Sequence, residues 1–117
     1  MTVASPPPYS PIVRAGDWLI VSGQVGVSGG ELVPGGVEDE FTQAVANMAA
    51  LLEGEGASLA DVSKTTVFLR HMRDYSLVNE IYARLFAEPY PARSAFAVAE
   101  LPLVALVEIE AWAYVGP

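Results

Sequence analysis

One arginine and two glutamates near the carboxyl end of the sequence have the clearest potential for chemistry. Arg93 follows a proline-bounded turn and stands where a strand is predicted to begin. Its guanidinium is a planar fork of donors that fits a carboxylate through two hydrogen bonds. The alternative is a surface arginine paired with a nearby glutamate, and the residue type alone favours that alternative.

Glu108 and Glu110 fall on one face of a predicted strand, about 7 Å apart along the backbone. A carboxylate that faces an enclosed cleft can acquire a raised pKa and act as a general base or acid. The alternative is a pair of solvated or interface carboxylates, which the pattern alone favours. No cluster of histidine or cysteine accompanies them, so they are not expected to bind a metal.

Other catalytic groups are scarce in this sequence. It contains no cysteine, which excludes a thiol nucleophile and a thiolate metal site. His71 is the only histidine; it lies beside Arg70 and Arg73 and is predicted to be a surface residue. The glycines between residues 23 and 30 do not match the spacing of a phosphate-binding loop.

Length and composition indicate one domain spanning residues 1–117, in which the proline-rich segment 1–8 forms an irregular arm. Of the 117 residues, 52% are hydrophobic and 17% are charged, which is enough apolar material for a packed core. No signal peptide is expected, because the start of the chain lacks a basic segment followed by an apolar one. No apolar run is long enough for a transmembrane helix. We therefore expect a cytoplasmic protein without membrane association.

The net charge of −8 limits the possible partners. A nucleic-acid backbone would be repelled by most of this surface, so nucleic-acid binding is not expected. A small anionic substrate would be repelled as well, unless one of the six basic residues provides a local attraction.

Hydrophobic periodicity predicts an α+β fold. Apolar residues at helical spacing predict one helix over 37–53, and a second from Asp74, as N-cap, to about Phe86. Strands are predicted at 17–22, 61–70, 93–99 and 105–115, with a loop or hairpin at 28–36. One mixed sheet with two helices packed on one face accommodates this order.

Two of these strands have unusual outer faces. Strand 61–70 alternates between two sets of side chains, namely Val62, Lys64, Thr66 and Phe68, and Ser63, Thr65, Val67 and Leu69. Strand 105–115 places small aliphatic residues on its odd face and Leu106, Glu108, Glu110, Trp112 and Tyr114 on its even face. Apolar and charged groups mixed in this way favour a sheet covered by another subunit over a solvated one. The alternative is an ordinary amphipathic sheet with aromatic residues placed by chance.

Several ordered motifs then make the sequence more specific than its composition. They are Pro8-Tyr9-Ser10, Val21-Ser22-Gly23-Gln24, Lys64-Thr65-Thr66-Val67-Phe68-Leu69, Val78-Asn79-Glu80-Ile81-Tyr82, Pro91-Ala92-Arg93-Ser94, Leu101-Pro102 and Val107-Glu108-Ile109-Glu110. Together they resemble the Rid (YjgF) family of small trimeric imine deaminases, from about residue 8 to residue 115.

The resemblance implies a chorismate-mutase-like α+β domain (Bacillus type) and a homotrimer whose sheets line a central barrel. Three clefts would lie between neighbouring subunits. It also implies hydrolysis of reactive enamine and imine intermediates, such as 2-aminoacrylate, 2-iminopropanoate and 2-iminobutanoate, to 2-oxo acids and ammonia. Neither a metal nor an organic cofactor would be needed.

The resemblance also assigns roles to individual residues. Arg93 would clamp the carboxylate of the substrate, and Glu108 would position or activate the attacking water. Tyr9 and Ser22 would line the cleft and help to hold the substrate or that water. Gly23 would contribute backbone next to Ser22.

Three further positions can be compared with the family, and two of them, Ala95 and Pro11, depart from it. The backbone N–H of Ala95 would complete the carboxylate site, although many deaminases of the family have cysteine there. Asn79 matches a recurrent family position for which we expect a structural role. Pro11 stands where many members have glutamine. These departures bear on substrate preference more than on the fold.

Other functions remain open at this point. One is a related hydrolase that acts on a pathway-specific imine or aminoacrylate through the same residues. Another is a non-catalytic trimer that binds a small carboxylate. The endoribonuclease and translation-inhibitor labels attached to some family members are disfavoured by the net charge of −8 and by the single histidine.

Overall fold

The computed structural model describes residues 6–117, so residues 1–5 of the predicted arm lie outside the described part. The strands are β1 Ile12–Ala15, β2 Trp18–Gln24, β3 Val27–Ser28, β4 Glu31–Leu32, β5 Val62–Leu69, β6 Ala92–Ala97 and β7 Val107–Tyr114, and the helices are α1 Val37–Gly54 and α2 Tyr75–Leu85. Three short 3₁₀ turns, Leu59–Asp61, Met72–Asp74 and Pro102–Val104, precede β5, α2 and β7.

Five strands form one mixed sheet in the order β1-β2-β7-β5-β6. The β5–β6 pair is parallel, and its strands are joined through α2, whereas the other neighbours are antiparallel. Strands β3 and β4 form a separate hairpin in the predicted loop region. The predicted α+β class and the mixed sheet are therefore confirmed.

The hydrophobic core lies between the helices and one face of this sheet. Helix α1 contributes apolar residues at helical spacing, including Phe41, Met48 and Leu52, all fully buried. The odd residues of β7, such as Val107 and Ile109, lie beneath them with no exposed surface. Since alternate side chains of a strand point to opposite faces, the even residues of β7 are directed away from the core.

The predicted sides of β5 are wrong at its first two residues. Ser63 was expected on the side of Thr65, which is buried, yet Ser63 is exposed. Val62 was expected on the side of Lys64, yet it is buried with the core. The pairing explains the difference, because Val62 lies opposite Ala113 and Lys64 opposite Trp112, so β5 advances two residues while β7 advances one. This bulge turns Val62 to the other face of the sheet.

Local boundaries also differ from the prediction. Strand β1 was not predicted, and β2 extends to Gln24, beyond its predicted end at residue 22. Asp74 occupies the N-cap position of α2, but its side chain makes no capping hydrogen bond, and a 3₁₀ turn leads into the helix instead. Strand β6 ends at Ala97 and β7 begins at Val107, because the turn Pro102–Val104 interrupts the connection. Within residues 6–117, neither helix has the length and apolar character needed to cross a membrane.

Candidate active site

Four of the predicted site residues line one cleft. Tyr9, Ser22, Gly23 and Glu108 border a cavity of about 860 Å³ together with Glu110. The remaining walls come from the amino-terminal arm, the β2–β3 segment, α1 and the turn before β7, through Pro7, Gln24, Val25, Val27, Asn47, Pro102 and Leu103. The cleft thus combines two carboxylates and two hydroxyls with walls that are partly apolar.

Glu108 reaches the cleft because it belongs to the even face of β7. It is half-buried, and it lies opposite Phe68 of β5. Burial raises the pKa of Glu108 above the usual value for glutamate, and the negative charge of Glu110 raises it further. A carboxylate with a raised pKa is better matched to accepting a proton near neutral pH.

Gly23 allows the carboxylate of Glu108 to lie directly against β2. A Cβ atom at residue 23 would collide with Oε2 of Glu108, so every residue other than glycine would displace that carboxylate. The register between β2 and β7 also shifts here, between Val21 and Gln24. A bulge beside a cleft redirects neighbouring groups, and at this point it places Ser22 and Gly23 at the cavity.

Ser22 fixes the arm that carries Tyr9. Its hydroxyl donates to the carbonyl of Ser10 at 2.6 Å, and its backbone N–H donates to the carbonyl of Pro11 at 2.9 Å. Pro11 therefore anchors the arm through its carbonyl, which any residue would supply. The side chain of Tyr9 is 63% exposed, so in a single chain it borders the cleft without closing it.

Arg93 lies in a second cavity of about 230 Å³, whose other walls are Asn79, Tyr82, Ala83, Tyr90 and Pro91. Nη2 of Arg93 donates to the hydroxyl of Tyr75 at 3.2 Å, and its guanidinium lies over the ring of Tyr82. Among residues 6–117, no carboxylate is within ion-pair distance of Arg93. The alternative of a surface arginine paired with a glutamate is therefore not observed within the described residues of one chain.

The sheet separates Arg93 from Glu108. Arg93 is paired with Thr65, whose side chain is fully buried beneath α2, so Arg93 faces the helices. Ala95 follows on the same side, paired with the buried Val67. Glu108 is on the opposite face. One chain consequently brings Glu108 together with Tyr9, Ser22 and Gly23, but it does not bring Arg93 or Ala95 to them.

Asn79 occupies the wall of the Arg93 cavity. Its Oδ1 atom is buried and has no hydrogen-bond partner within the described residues. The structural role expected for this side chain is therefore not visible as a hydrogen bond. His71, expected at the surface, is half-buried in the segment that leads into the turn before α2.

Two residues that shape the cleft were not singled out from the sequence for this role. Glu40 of α1 is buried, and its Oε1 accepts a hydrogen bond from the backbone N–H of Leu106 at 2.8 Å, which holds the turn Pro102–Val104 over the cleft. Asn47 donates to the carbonyls of Val25 and Val27 at 3.2 and 3.0 Å. Both are polar residues on the predicted α1, and only the tertiary structure supplies their partners.

The turn Pro102–Val104 has an unusual backbone. Leu103 and Val104 have φ values of 60° and 58°, a left-handed conformation that is rare for branched residues. Their side chains are nevertheless 61% and 86% exposed. Leu103 lines the Glu108 cleft, so a strained apolar residue lies at its rim, and Val104 follows it in the same turn.

Comparison with known proteins identifies the family of this chain. The family model described as Endoribonuclease L-PSP, the Rid family, matches residues 2–115. The chain belongs to this family. A 2-iminobutanoate/2-iminopropanoate deaminase from Mus musculus is 47% identical over 112 residues, which are 94% of this chain and 83% of the mouse protein. A RutC family protein from Pyrococcus horikoshii is 45% identical over 109 residues, 92% of this chain and 86% of that protein.

Solved structures of Rid proteins share the fold. RidA from an Antarctic Psychrobacter is 38% identical, with a TM-score of 0.90 over 95% of this chain and 91% of that one. Yeast Mmf1 is 31% identical, also with a TM-score of 0.90, over 96% of this chain and 90% of that one. The resemblance stated from the motifs is therefore confirmed at the level of the family and the fold.

Proposed function

We propose that this Rid-family chain is a hydrolytic deaminase of 2-imino acids, which converts 2-iminobutanoate and 2-iminopropanoate to the 2-oxo acids and ammonia. The observation that carries the proposal is the unpaired state of Arg93. Within residues 6–117 the guanidinium of Arg93 has no carboxylate partner, and in a protein of net charge −8 such a group is a local attraction for an anionic substrate. Curated relatives at similar identity, from mouse and human, bear the name of this deaminase.

The complete site requires two copies of the chain. Because Arg93 and Glu108 lie on opposite faces of one sheet, a substrate small enough to contact both must lie where the Arg93 side of one copy meets the Glu108 side of another. A closed homotrimer with a chorismate-mutase-like barrel satisfies this by repeating one heterologous contact three times. It also covers the even face of β7.

Hydrolysis of the bound imine then requires only a few catalytic groups from the protein. Arg93 of one copy binds the carboxylate, assisted by the backbone N–H of Ala95, and this orients the electrophilic iminium carbon. In the neighbouring copy, the ionised Glu108 accepts a proton as water adds to that carbon, while Ser22 and Tyr9 hold the water or the substrate. Glu108 returns that proton to the nitrogen and then accepts the proton of the new hydroxyl as the C=O bond forms and the C–N bond breaks, which releases ammonia and the 2-oxo acid. Ammonia takes up this last proton as ammonium, so Glu108 is ionised again.

The direct test couples the purified protein to a threonine or serine dehydratase and follows formation of the 2-oxo acid. We expect acceleration over spontaneous hydrolysis, and loss of that acceleration in Arg93→Ala. Arg84→Ala is the matched control, because Arg84 is an exposed arginine of α2 whose contact is with Glu38. The proposal is wrong if the wild-type protein has no effect or if Arg93→Ala is as active as wild type.

A pathway-specific imine as the substrate would leave the roles of Arg93 and Glu108 unchanged. It would be recognised by faster turnover of imines other than those derived from threonine or serine. Binding of a 2-oxo acid without turnover of any imine would identify a non-catalytic carboxylate-binding protein instead.

A further inference from the structure

Among residues 6–117, the surroundings of Arg93 are aromatic and not acidic. Its guanidinium carbon lies 5.0 Å from the ring centroid of Tyr82 and 5.6 Å from that of Tyr75. Both rings are within the range in which a cation is attracted to the face of an aromatic ring. The hydroxyl of Tyr75 accepts the hydrogen bond from Nη2. These contacts hold the guanidinium without neutralising its charge.

Tyr82 is a rigid support for this arrangement. Its ring stacks on that of Phe86 at 4.3 Å, with a further stacked contact to Phe41 at 6.3 Å. Its hydroxyl shares a hydrogen bond of 2.7 Å with the fully buried Thr65. Burial raises the pKa of Tyr82, although the hydrogen bond to Thr65 and the charge of Arg93 oppose this effect, so the phenol stays neutral.

Tyr75 supplies the polar contact from the first turn of the same helix. Since seven residues make about two turns, Tyr75 and Tyr82 lie on one side of α2. Arginine has about five N–H donors, and the hydrogen bond to Tyr75 uses one of them. Enough donors remain for a bidentate contact with a carboxylate.

We propose that Tyr75 is a positioning residue for the carboxylate clamp: its hydroxyl, together with the ring of Tyr82, holds the Arg93 guanidinium in the orientation that binds the substrate. This inference rests on the proposed function. A carboxylate in the place of Tyr75 would hold Arg93 as well, but it would compete with the substrate anion. A neutral phenol restrains the arginine without that competition.

The test compares Tyr75→Phe, which removes only the hydroxyl, with Tyr114→Phe, which makes the same change on the opposite face of the sheet. Both are assayed in the coupled reaction with wild type. We expect the KM of Tyr75→Phe to rise about threefold to tenfold, the range of a partly exposed hydrogen bond to a charged group. Its kcat should stay unchanged, because the clamp contacts the carboxylate equally in the ground state and the transition state.

Binding without turnover separates positioning from a structural role. The dissociation constants of 2-oxobutanoate and of its uncharged amide are measured by NMR titration. Tyr75→Phe should weaken binding of the carboxylate and leave that of the amide unchanged, whereas a distorted cavity would change both. An unchanged KM and an unchanged dissociation constant for 2-oxobutanoate would overturn the inference.

If the proposed function is wrong, the same binding and activity measurements give a different set of results. If wild type does not accelerate hydrolysis but binds 2-oxobutanoate through Arg93, and Tyr75→Phe weakens that binding, then the positioning role stands and the deaminase proposal is wrong. If Arg93→Ala binds 2-oxobutanoate as well as wild type does, both proposals are wrong.

Discussion

At the scale of single residues, the pKa of Glu108 determines how the proposed reaction depends on pH. A general base works in its ionised form, so the rate falls as the pH drops below the pKa of Glu108. The charge of Glu110 contributes to the raised pKa, after burial. Glu110→Gln should therefore lower the pKa of Glu108 and move the acid limb of the kcat/KM profile to lower pH.

The measurement is the profile of kcat/KM against pH, corrected for spontaneous hydrolysis at each pH. Glu53→Gln is a suitable control, because Glu53 is an exposed residue near the end of α1. An acid limb that stays in place or moves to higher pH in Glu110→Gln would contradict the assignment of Glu108 as the base.

Gly23 offers a second prediction at this scale. The three atoms nearest to an added Cβ at residue 23 all belong to the flexible side chain of Glu108, which can move aside. Gly23→Ala should therefore fold with nearly unchanged stability but lose about tenfold or more in kcat/KM, because a small misplacement of a catalytic group is costly. Thermal unfolding and the coupled assay check the two parts.

Gly54→Ala is the matched control for this variant, since nothing lies within 4 Å of a Cβ at that position. It should retain wild-type kcat/KM. Full activity in Gly23→Ala would show that the position of Glu108 against β2 is not required.

Residue types and spacing predicted only part of the site. Arg93 and Glu108 were ambiguous as isolated residues, and the family motifs assigned their roles. The contribution of Tyr75 could not be predicted, because a tyrosine at the start of an amphipathic helix is ordinary. Only the packing of α2 on the sheet brings its hydroxyl to within 3.2 Å of Arg93.

At the scale of elements, periodicity predicted the interior well because burial imposes it. Helix α1 and the alternation in β7 follow directly from which side chains must leave water. The bulge at Val62 and the 3₁₀ turns produce no recognisable change in the hydrophobic periodicity of the short sequence segments in which they lie. The bulge depends on pairing between β5 and β7, which are far apart in the sequence.

Glu40 joins two such distant elements and provides the prediction at this scale. Glu40→Ala leaves the backbone N–H of Leu106 without its acceptor, which should lower the free energy of unfolding by about 1–3 kcal/mol. Glu38→Ala is the control, because its contact with Arg84 is a surface ion pair of 3.9 Å. That variant should lose no more than about 1 kcal/mol.

Urea denaturation monitored by tryptophan fluorescence measures both variants. Equal stability of Glu40→Ala and Glu38→Ala would mean that the bond from Leu106 to Glu40 does not secure the turn over the cleft. A drop in kcat/KM that accompanies the loss of stability would connect this turn with the site.

At the scale of the whole molecule, the second face of the sheet is the main unexplained surface of a single chain. Trp18, Phe96, Trp112 and Tyr114 are each between 37% and 46% exposed on or beside it. Apolar surface of this extent is typical of an interface. The proposed homotrimer would cover that surface and would also make the site shared.

A shared site predicts that two inactive variants complement each other. Arg93→Ala and Glu108→Ala are each expected to be inactive alone, because every site in either assembly lacks one group. In an equal mixture that is unfolded and refolded together, a site is complete when its Arg93 comes from one variant and its Glu108 from the other, which random association gives at about a quarter of sites. About a quarter of the wild-type activity should therefore return.

Two controls make this outcome specific to a site formed between chains. Light scattering of the refolded mixture should give a molecular mass of about three times the 12.4 kDa of one chain. Arg93→Ala refolded with the double variant Arg93→Ala/Glu108→Ala contains no intact Arg93, so it should stay inactive. If Arg93 and Glu108 acted within one chain, mixing the single variants would restore nothing, since no chain in the mixture carries both residues.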